Sequence, residues 1–213
     1  MNLDVPTEPN LDPRARILCA ALDGFLRQGY HGTSTLDIAS RARVSKRDLY
    51  AQFGSKQGIL AAAITERTQR MQLPLSLPTP RDRTGLAAML VRFGAALLRE
   101  VSRPEVLALY RLAIAESDRS PDLARTLDAA GRGAMHATLV DLLARAQGAG
   151  LVGADDPDDM AGRFVALLWG SLLIRLLLGI AAAPDTAETE RRAQAAADTL
   201  LRLYPAADIT GKP

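Results

Sequence analysis

Residues 32–60 read GTSTLDIASRARVSKRDLYAQFGSKQGIL, and this stretch decides how the N-terminal part of the chain folds. Its pattern predicts two very short helices, Thr35–Ala42 and Lys46–Phe53, with only three residues between them. The positions predicted to face inward between the two helices are Ile38, Ala39, Leu49 and Phe53. Two short helices that pack across a tight turn form a helix-turn-helix unit.

A start signal precedes each of these helices. The first signal is the pair Ser34 and Asp37, and the second is the pair Ser45 and Asp48. In such a Ser-x-x-Asp pair the serine hydroxyl accepts a hydrogen bond from the backbone N–H three residues on. The spacing therefore predicts that both helices begin at the residue after the serine.

The second short helix has an outward face with polar residues. Because Leu49 and Phe53 take one side, Arg47, Tyr50 and Ala51 face away, and Lys46 lies at the N-terminal end. The N-terminal residues of a recognition helix are those that reach base edges in the major groove of DNA. This face is the candidate reading surface.

Helical patterns extend through the rest of the chain, and no run of residues alternates at the period of a strand. Prolines at 74, 78 and 80 mark a boundary between an N-terminal domain, residues 13–73, and a larger helical domain, residues 81–205. The predicted fold is all-α, with about nine helices. These cover residues 13–28, 35–42, 46–53, 55–71, 81–101, 104–117, 121–146 (bending near Gly131 and Gly133), 157–179 and 186–204.

Length and composition are those of an ordinary globular protein. The chain has 213 residues, of which 48% are hydrophobic and 23% charged, with a net charge of +2. A single cysteine, Cys19, excludes an internal disulfide framework and fits a reducing compartment. The N-terminal residues lack the basic and apolar regions of a signal peptide, so we expect a cytoplasmic protein.

Charge is unevenly distributed. Residues 13–70 carry ten basic and four acidic side chains, a net charge of +6. A phosphate backbone would be attracted to this block. A solvated helical surface with a chance excess of arginine gives the same count, so charge alone does not decide between the two interpretations.

The apolar stretch 164–183 raises the alternative of a membrane-associated protein. It is twenty residues long and is interrupted by one charge, Arg175, which costs about 2.5–3.5 kcal/mol near the middle of a spanning helix. Four aspartates at 155–159 precede it, and no basic flank or aromatic belt accompanies it. We therefore favour a helix that is buried between protein surfaces on both sides.

The motifs together resemble the TetR family of transcriptional regulators. The resemblance covers residues 13–73 in detail: a helix ending in F-x-x-x-G-Y-x-G-T-S, then LDIA, then VSKRDLYAQFGSKQGIL. A departure is Arg43, where the family commonly has glycine in the turn; a left-handed conformation there would carry a small strain. We also consider a minor alternative in which Arg43 contacts a phosphate. Residues 109–127 are similar to a segment that links two ligand-domain helices in one subgroup.

The resemblance implies a set of DNA-binding residues. The start of the first motif helix would meet a phosphate, the recognition helix would face the groove, and Tyr50 and Lys56 would hold phosphates. Arg47 is the predicted guanine reader and Gln52 a candidate adenine reader, whereas capping is the main expected role of Asp48. The full set is Thr33, Ser34, Thr35, Ser45, Lys46, Arg47, Asp48, Tyr50, Ala51, Gln52 and Lys56.

The resemblance further implies a homodimer that forms through the last two helices. The expected interface residues are Ala166, Gly170, Ser171, Ala193, Ala197 and Leu200. A pocket for a small, mainly hydrophobic effector is expected between the middle helices, although plain core is the commoner role for each apolar member. Its candidate lining residues are Met89, Phe93, Tyr110, Met135, Trp169 and Arg175. Two roles stay open for Arg175, because an arginine among leucines needs a partner: an acid across the dimer, which is the simpler, or an anionic group of the ligand.

The expected function is a ligand-responsive transcriptional regulator, a repressor released from a pseudo-palindromic double-stranded operator. Activation of transcription, or regulation without a ligand, is the alternative on the same fold. The sequence carries no motif of a hydrolase, a phosphate-binding loop or a metalloenzyme, so we expect neither an enzyme nor a cofactor. His136 has no companion ligands at metal-binding spacing, which predicts a surface or capping role and no metal site.

Overall fold

The computed structural model describes residues 11–72, 79–119 and 121–206, with side chains from 67 to 72 left aside. Within these ranges all regular structure is helical, as predicted. The α-helices are α1 (Pro13–Gly32), α2 (Thr35–Ala42), α3 (Lys46–Phe53), α4 (Lys56–Gln72), α5 (Arg83–Val101), α6 (Pro104–Ala115), α7 (Pro121–Leu127), α8 (Ala134–Gly148), α9 (Pro157–Trp169), α10 (Leu172–Leu177) and α11 (Thr186–Leu203).

Two predicted helices are divided, which accounts for eleven α-helices in the described ranges where nine were expected. A π-helical segment, Asp128–Gly133, separates α7 from α8 at the glycines where bending was expected. The predicted helix 157–179 is wrong as a single element. Gly170 has φ 48° and ψ −123°, a conformation outside the helical region, so α9 ends there and α10 begins after Ser171.

The chain forms two compact units whose boundaries do not follow the order of the sequence. Of the described residues, unit 1 comprises 11–67, 108–119 and 121–132, and unit 2 comprises 68–72, 79–107 and 133–206. Of the three prolines on which the predicted boundary rests, those at 74 and 78 lie outside the described residues.

Unit 1 has its own hydrophobic core, in which α1 to α4 pack with the later part of α6 and with α7. Its largest fully buried side chains are Ile17, Phe25, Ile38, Leu49, Ile59 and Leu60. Leu109, Leu123 and Leu127 belong to the same core. Gln57 of α4 donates a hydrogen bond to the Thr126 hydroxyl of α7 (3.1 Å). The helix-turn-helix therefore shares one core with residues far along the chain.

Unit 2 is built around α5, which packs on α11 and α9. Phe93 and Phe164 are buried with their ring centroids 6.3 Å apart. A side chain on Gly94 would approach Leu168 to 3.1 Å, so glycine permits the close contact of these helices. No helix in the described ranges is both long enough and apolar enough to cross a membrane.

Candidate nucleic-acid interface

The predicted serine caps begin α2 and α3. The Ser34 hydroxyl accepts from the Asp37 N–H (3.1 Å), and the Asp37 carboxylate accepts from the Ser34 N–H (3.3 Å), which completes a capping box. The Ser45 hydroxyl likewise accepts from the Asp48 N–H (3.0 Å). Hydrogen bonds from Ser34 lower the pKa of Asp37. Local spacing thus fixes where both motif helices start.

The turn between the helices requires one left-handed residue, and that residue is Arg43. Its backbone has φ 54° and ψ 49°, the region that glycine adopts most readily. The Arg43 N–H donates to Ser40 O (3.1 Å), and the Val44 N–H donates to Ala39 O (3.0 Å). These bonds terminate α2 and set the direction in which α3 leaves it.

Two cations anchor the helix-turn-helix from within the fold. Arg16 of α1 donates from Nε to the carbonyl of Ala42 at the end of α2 (2.9 Å). Lys56 Nζ donates to the carbonyls of Tyr30 (2.7 Å) and Thr33 (3.0 Å) and lies 4.4 Å from the centroid of the Tyr30 ring. Burial lowers the pKa of Lys56. Two of the three ammonium protons therefore serve the fold.

Thr33 differs from its expected role. Its side chain is 2% exposed, and its hydroxyl donates to the Gly29 carbonyl (2.9 Å). A side chain on Gly24 would lie 2.7 Å from Thr33 Cγ2, so the threonine fills the space that this glycine leaves. We therefore assign the Thr33 side chain to packing, and only Ser34 and Thr35 present hydroxyls at the start of α2.

The face of α3 that the sequence singled out lies in solvent. Its exposed residues are Ser45, Lys46, Arg47, Asp48, Tyr50, Ala51 and Gln52. The Tyr50 hydroxyl lies 3.1 Å from the Thr35 hydroxyl, which brings the start of α2 and the middle of α3 together. The Lys46 ammonium lies 5.7 Å from the centroid of the Tyr50 ring. Hydroxyls and a cation thus meet on one surface suited to a phosphate.

Several other cations of the N-terminal block are engaged inside unit 1. Arg27 and Arg41 both pair with Asp23, at 2.5 Å and 2.7 Å. The Arg14 guanidinium lies over the Phe53 ring at 4.9 Å. Asp23 is therefore shared by two arginines, and further exposed cations lie in the turn and at the start of α3.

The candidate pocket residues are not all brought together. Met89, Phe93, Met135 and Trp169 are buried in the core of unit 2. Tyr110 instead packs against the core of unit 1, where burial and then Asp128 raise its pKa while Arg132 opposes them. Arg175 is exposed. A groove of about 700 Å³ lies on the surface between α5 and α11 and is lined by other residues, among them Arg92, Arg99 and Glu190.

The candidate dimer residues divide into two groups. Ala166, Gly170 and Ser171 are exposed, as an interface requires. Ala193, Ala197 and Leu200 are 0% exposed within one chain, because they pack into the core of unit 2. These three residues cannot contact a partner, and we remove them from the expected interface. The large apolar side chains of unit 2 that are exposed are Leu167, Ile174, Leu178, Ile180 and Leu203.

His136 and Cys19 lie outside the interface. His136 Nε2 is 2.9 Å from a carboxylate oxygen of Asp158, and its side chain is 23% exposed. Cys19 is half-buried on α1. Across the described ranges, no group of three or more histidine, cysteine or acidic side chains is arranged to hold a metal ion.

Two family models match the chain. Residues 17–63 match the model described as bacterial regulatory proteins, tetR family. Residues 88–206 match the C-terminal domain of AefR-like transcriptional repressors. The first match contains the helix-turn-helix, and the second contains most of the helices that follow.

Individual proteins that are similar to this chain are also transcriptional regulators. The solved structure of a flavonoid-responsive regulator, FrrA, is 31% identical, with 92% of this chain and 98% of that chain covered and a TM-score of 0.73. A TetR transcriptional regulator from Agrobacterium tumefaciens is also 31% identical, with coverages of 92% and 96% and a TM-score of 0.75. The transcriptional repressor SCO4008 of Streptomyces coelicolor is 36% identical over 97 residues, 45% of this chain and 46% of that protein.

Proposed function

This chain belongs to the TetR family of transcriptional regulators, and from that membership we propose that it is a homodimeric repressor released from its operator by a small hydrophobic effector. Members of the family regulate transcription and are not enzymes. The observation that carries the proposal is the exposed face of α3, with the Tyr50 and Thr35 hydroxyls 3.1 Å apart beside it.

At the DNA, each residue type on this face has a separate task. The Arg47 guanidinium offers two parallel donors that match O6 and N7 of a guanine, and Gln52 offers the donor and acceptor that an adenine requires. Phosphates on either side of the groove would be bound by the hydroxyls of Ser34, Thr35 and Tyr50. Backbone amides at the start of α2 and the ammonium of Lys46 would add further contacts to them. Phosphate contacts fix the position of α3, and base contacts select the sequence.

The proposed dimer forms through the exposed faces of α9 and α10. Leu167, Ile174 and Leu178 are 41%, 54% and 66% exposed in a single chain, and the small residues Ala166 and Gly170 lie beside them. Three large apolar side chains exposed within twelve residues of the chain support an interface at these helices. The helix-turn-helix of each protomer is one reading head of the proposed dimer. Two identical reading heads related by a two-fold axis require a pseudo-palindromic DNA site.

The proposed effector binds in the core of unit 2. Met89, Phe93, Met135 and Trp169 give that core a flexible and aromatic character, which suits a hydrophobic ligand. The relative FrrA is named for its response to flavonoids, so we take flavonoids as the first compounds to try. Such a protein acts on chromosomal DNA, and the proposed location is therefore the cytoplasm.

A selection experiment tests DNA binding. Genomic fragments from the source organism are incubated with the purified protein, and the bound fragments are recovered and sequenced. We expect enrichment of a short pseudo-palindrome upstream of a gene. A reporter placed behind that site should be silenced by the protein; activation of the reporter would replace repression with the alternative, and absence of any enriched site would contradict DNA recognition.

Calorimetry tests the ligand response. An effector releases DNA only if it binds better to a conformation that fits the operator badly, so the two affinities must be coupled equally in both directions. With the usual coupling of about 1–3 kcal/mol, the effector should bind roughly 5–150-fold more weakly when operator DNA is present. Equal affinities in the two titrations would show that the ligand site does not control the reading heads.

A further inference from the structure

The residue in the turn between α2 and α3 has a conformation that its side chain does not favour. Among the described residues, Arg43 is the one residue other than glycine with a positive φ. The turn itself is closed by main-chain hydrogen bonds of Arg43 and Val44, and glycine would make these bonds without strain. Strained residues of this kind are found preferentially at functional sites.

No contact among the described residues accounts for the Arg43 side chain. Neighbouring arginines are engaged: Arg41 pairs with Asp23 (2.7 Å), and Arg16 binds the carbonyl of Ala42 (2.9 Å). Arg43 is exposed, and over the ranges described its guanidinium has neither an ion pair nor a side-chain hydrogen bond. The charge at this position is therefore available to a partner outside the chain.

The position of the turn identifies that partner. In a helix-turn-helix complex the first helix crosses the phosphate backbone, and the second enters the major groove with its N-terminal residues. Arg43 lies between them, two residues before Ser45, the cap of α3. A long cationic side chain in this turn would therefore lie close to the phosphates at the edge of the groove. Arginine is well suited to phosphate because its donors match two oxygens at once.

We propose that Arg43 is an additional phosphate-binding residue of the DNA interface, retained there at the expense of folding stability. The inference rests on the proposed DNA binding by α2 and α3. It concerns a contact to the DNA backbone, so it predicts equal effects on every DNA sequence.

The test compares four variants of the full chain on calf-thymus duplex DNA, a probe that requires no knowledge of the operator. Arg43→Gly removes both the charge and the strain, Arg43→Ala removes the charge alone, and Arg43→Lys keeps the charge. Arg119→Ala is the matched control, because it removes one exposed arginine from a turn of unit 1 that is distant in sequence from the motif. Binding is measured over a range of salt concentrations, and stability is measured by urea unfolding.

We expect Arg43→Gly to unfold at higher urea concentration than wild type and yet to bind DNA several-fold more weakly. The slope of log Kobs against log salt concentration should become shallower by about 0.9 for each phosphate that the protein no longer neutralises. Arg43→Ala should show the same weakening of DNA binding without the gain in stability, Arg43→Lys should keep most of the binding, and Arg119→Ala should bind like wild type.

Two results would overturn the inference. If Arg43→Gly binds DNA with the wild-type affinity and salt slope, the side chain does not reach a phosphate. If Arg43→Gly unfolds at lower urea concentration, the arginine serves the fold at the end of α2. Failure of the wild-type protein to bind duplex DNA at all would instead contradict the proposed function, so the two failures are distinguishable.

Discussion

Gly58 and Phe53 approach each other so closely that a side chain cannot be placed between them. A methyl group on Gly58 would lie 2.0 Å from the carbonyl oxygen of Phe53. Phe53 ends α3, and Gly58 lies in the first turn of α4, where its N–H donates to the Ser55 hydroxyl (2.9 Å). The missing side chain at Gly58 therefore lets the end of α3 lie directly against the start of α4.

Replacement of Gly58 by alanine should therefore destabilise the protein by about 2 kcal/mol or more, because a main-chain oxygen cannot move away without displacing α3. Urea unfolding measured by circular dichroism gives the change. Gly148→Ala is the matched control, since a side chain there meets open space at the end of α8 and should stay within about 1 kcal/mol of wild type. Equal stabilities of the two variants would contradict the close approach.

The ionised carboxylate of Asp37 should increase the free energy of unfolding at neutral pH, and this contribution should be lost in acid. Hydrogen bonds from Ser34 lower its pKa in the folded state below the ordinary value of 3.8. A carboxylate with a lowered pKa stabilises the fold above its unfolded pKa, and the contribution is lost as pH falls through the folded pKa. Asp37→Asn should therefore unfold more easily than wild type at neutral pH, and the difference should disappear in acid.

Unfolding curves of Asp37→Asn over a series of pH values check this expectation. Asp118→Asn serves as the control, because it removes the same charge from an exposed turn. A difference between Asp37→Asn and wild type that stays constant from neutral to strongly acidic pH would contradict the role of the ionised capping box.

Arg47→Ala and Tyr50→Phe should weaken DNA binding in different ways. Loss of a base-reading arginine should cost about 1–3 kcal/mol on the operator and relax specificity at one position. Loss of the Tyr50 hydroxyl removes its hydrogen bond with Thr35 and the proposed phosphate bond, so all sequences should be affected alike. Titrations of both variants with operator and with scrambled DNA separate the two effects. Unchanged specificity in Arg47→Ala would show that another residue reads the base.

Ile174→Glu should dissociate the proposed dimer and abolish operator binding. The side chain is 54% exposed on α10, and a carboxylate placed in an apolar interface would be desolvated without a partner. Ile114→Glu is a closely matched control, because this isoleucine of α6 is 60% exposed on unit 1. Gly170 is unsuitable for the test, since any side chain at φ 48° is strained.

Sedimentation and operator titration measure the outcome for both isoleucine variants. Wild type and Ile114→Glu should sediment as dimers, and Ile174→Glu as a monomer with an intact reading head. A monomeric wild type that still binds a complete operator tightly would contradict the dimer.

Features that form between residues close together in the chain can be predicted from the sequence. The bounds of α2 and α3 agree with the predicted ranges, because Ser34 and Ser45 cap amides three residues away. The resemblance marks Arg43 as the turn residue that would be strained in a left-handed conformation, and its φ of 54° shows that conformation. Caps and turns form between residues adjacent in the chain, and the pattern of residue types is enough to reveal them.

Which surfaces pack against each other could not be predicted from the sequence and is seen only in the folded chain. The apolar period of α11 predicted a buried stripe, but the sequence could not show that Ala193, Ala197 and Leu200 pack inside one chain, where an interface was expected. Lys56 was expected to hold a phosphate, and only the fold places the carbonyls of Tyr30 and Thr33 beside its ammonium. Nor did any local signal place residues 108–132 in the unit that contains the helix-turn-helix. Hydrophobic burial has no preferred direction, and any apolar surface of matching shape can cover a helix face. The apolar periodicity of a helix therefore identifies the face that will be buried but not the surface that covers it.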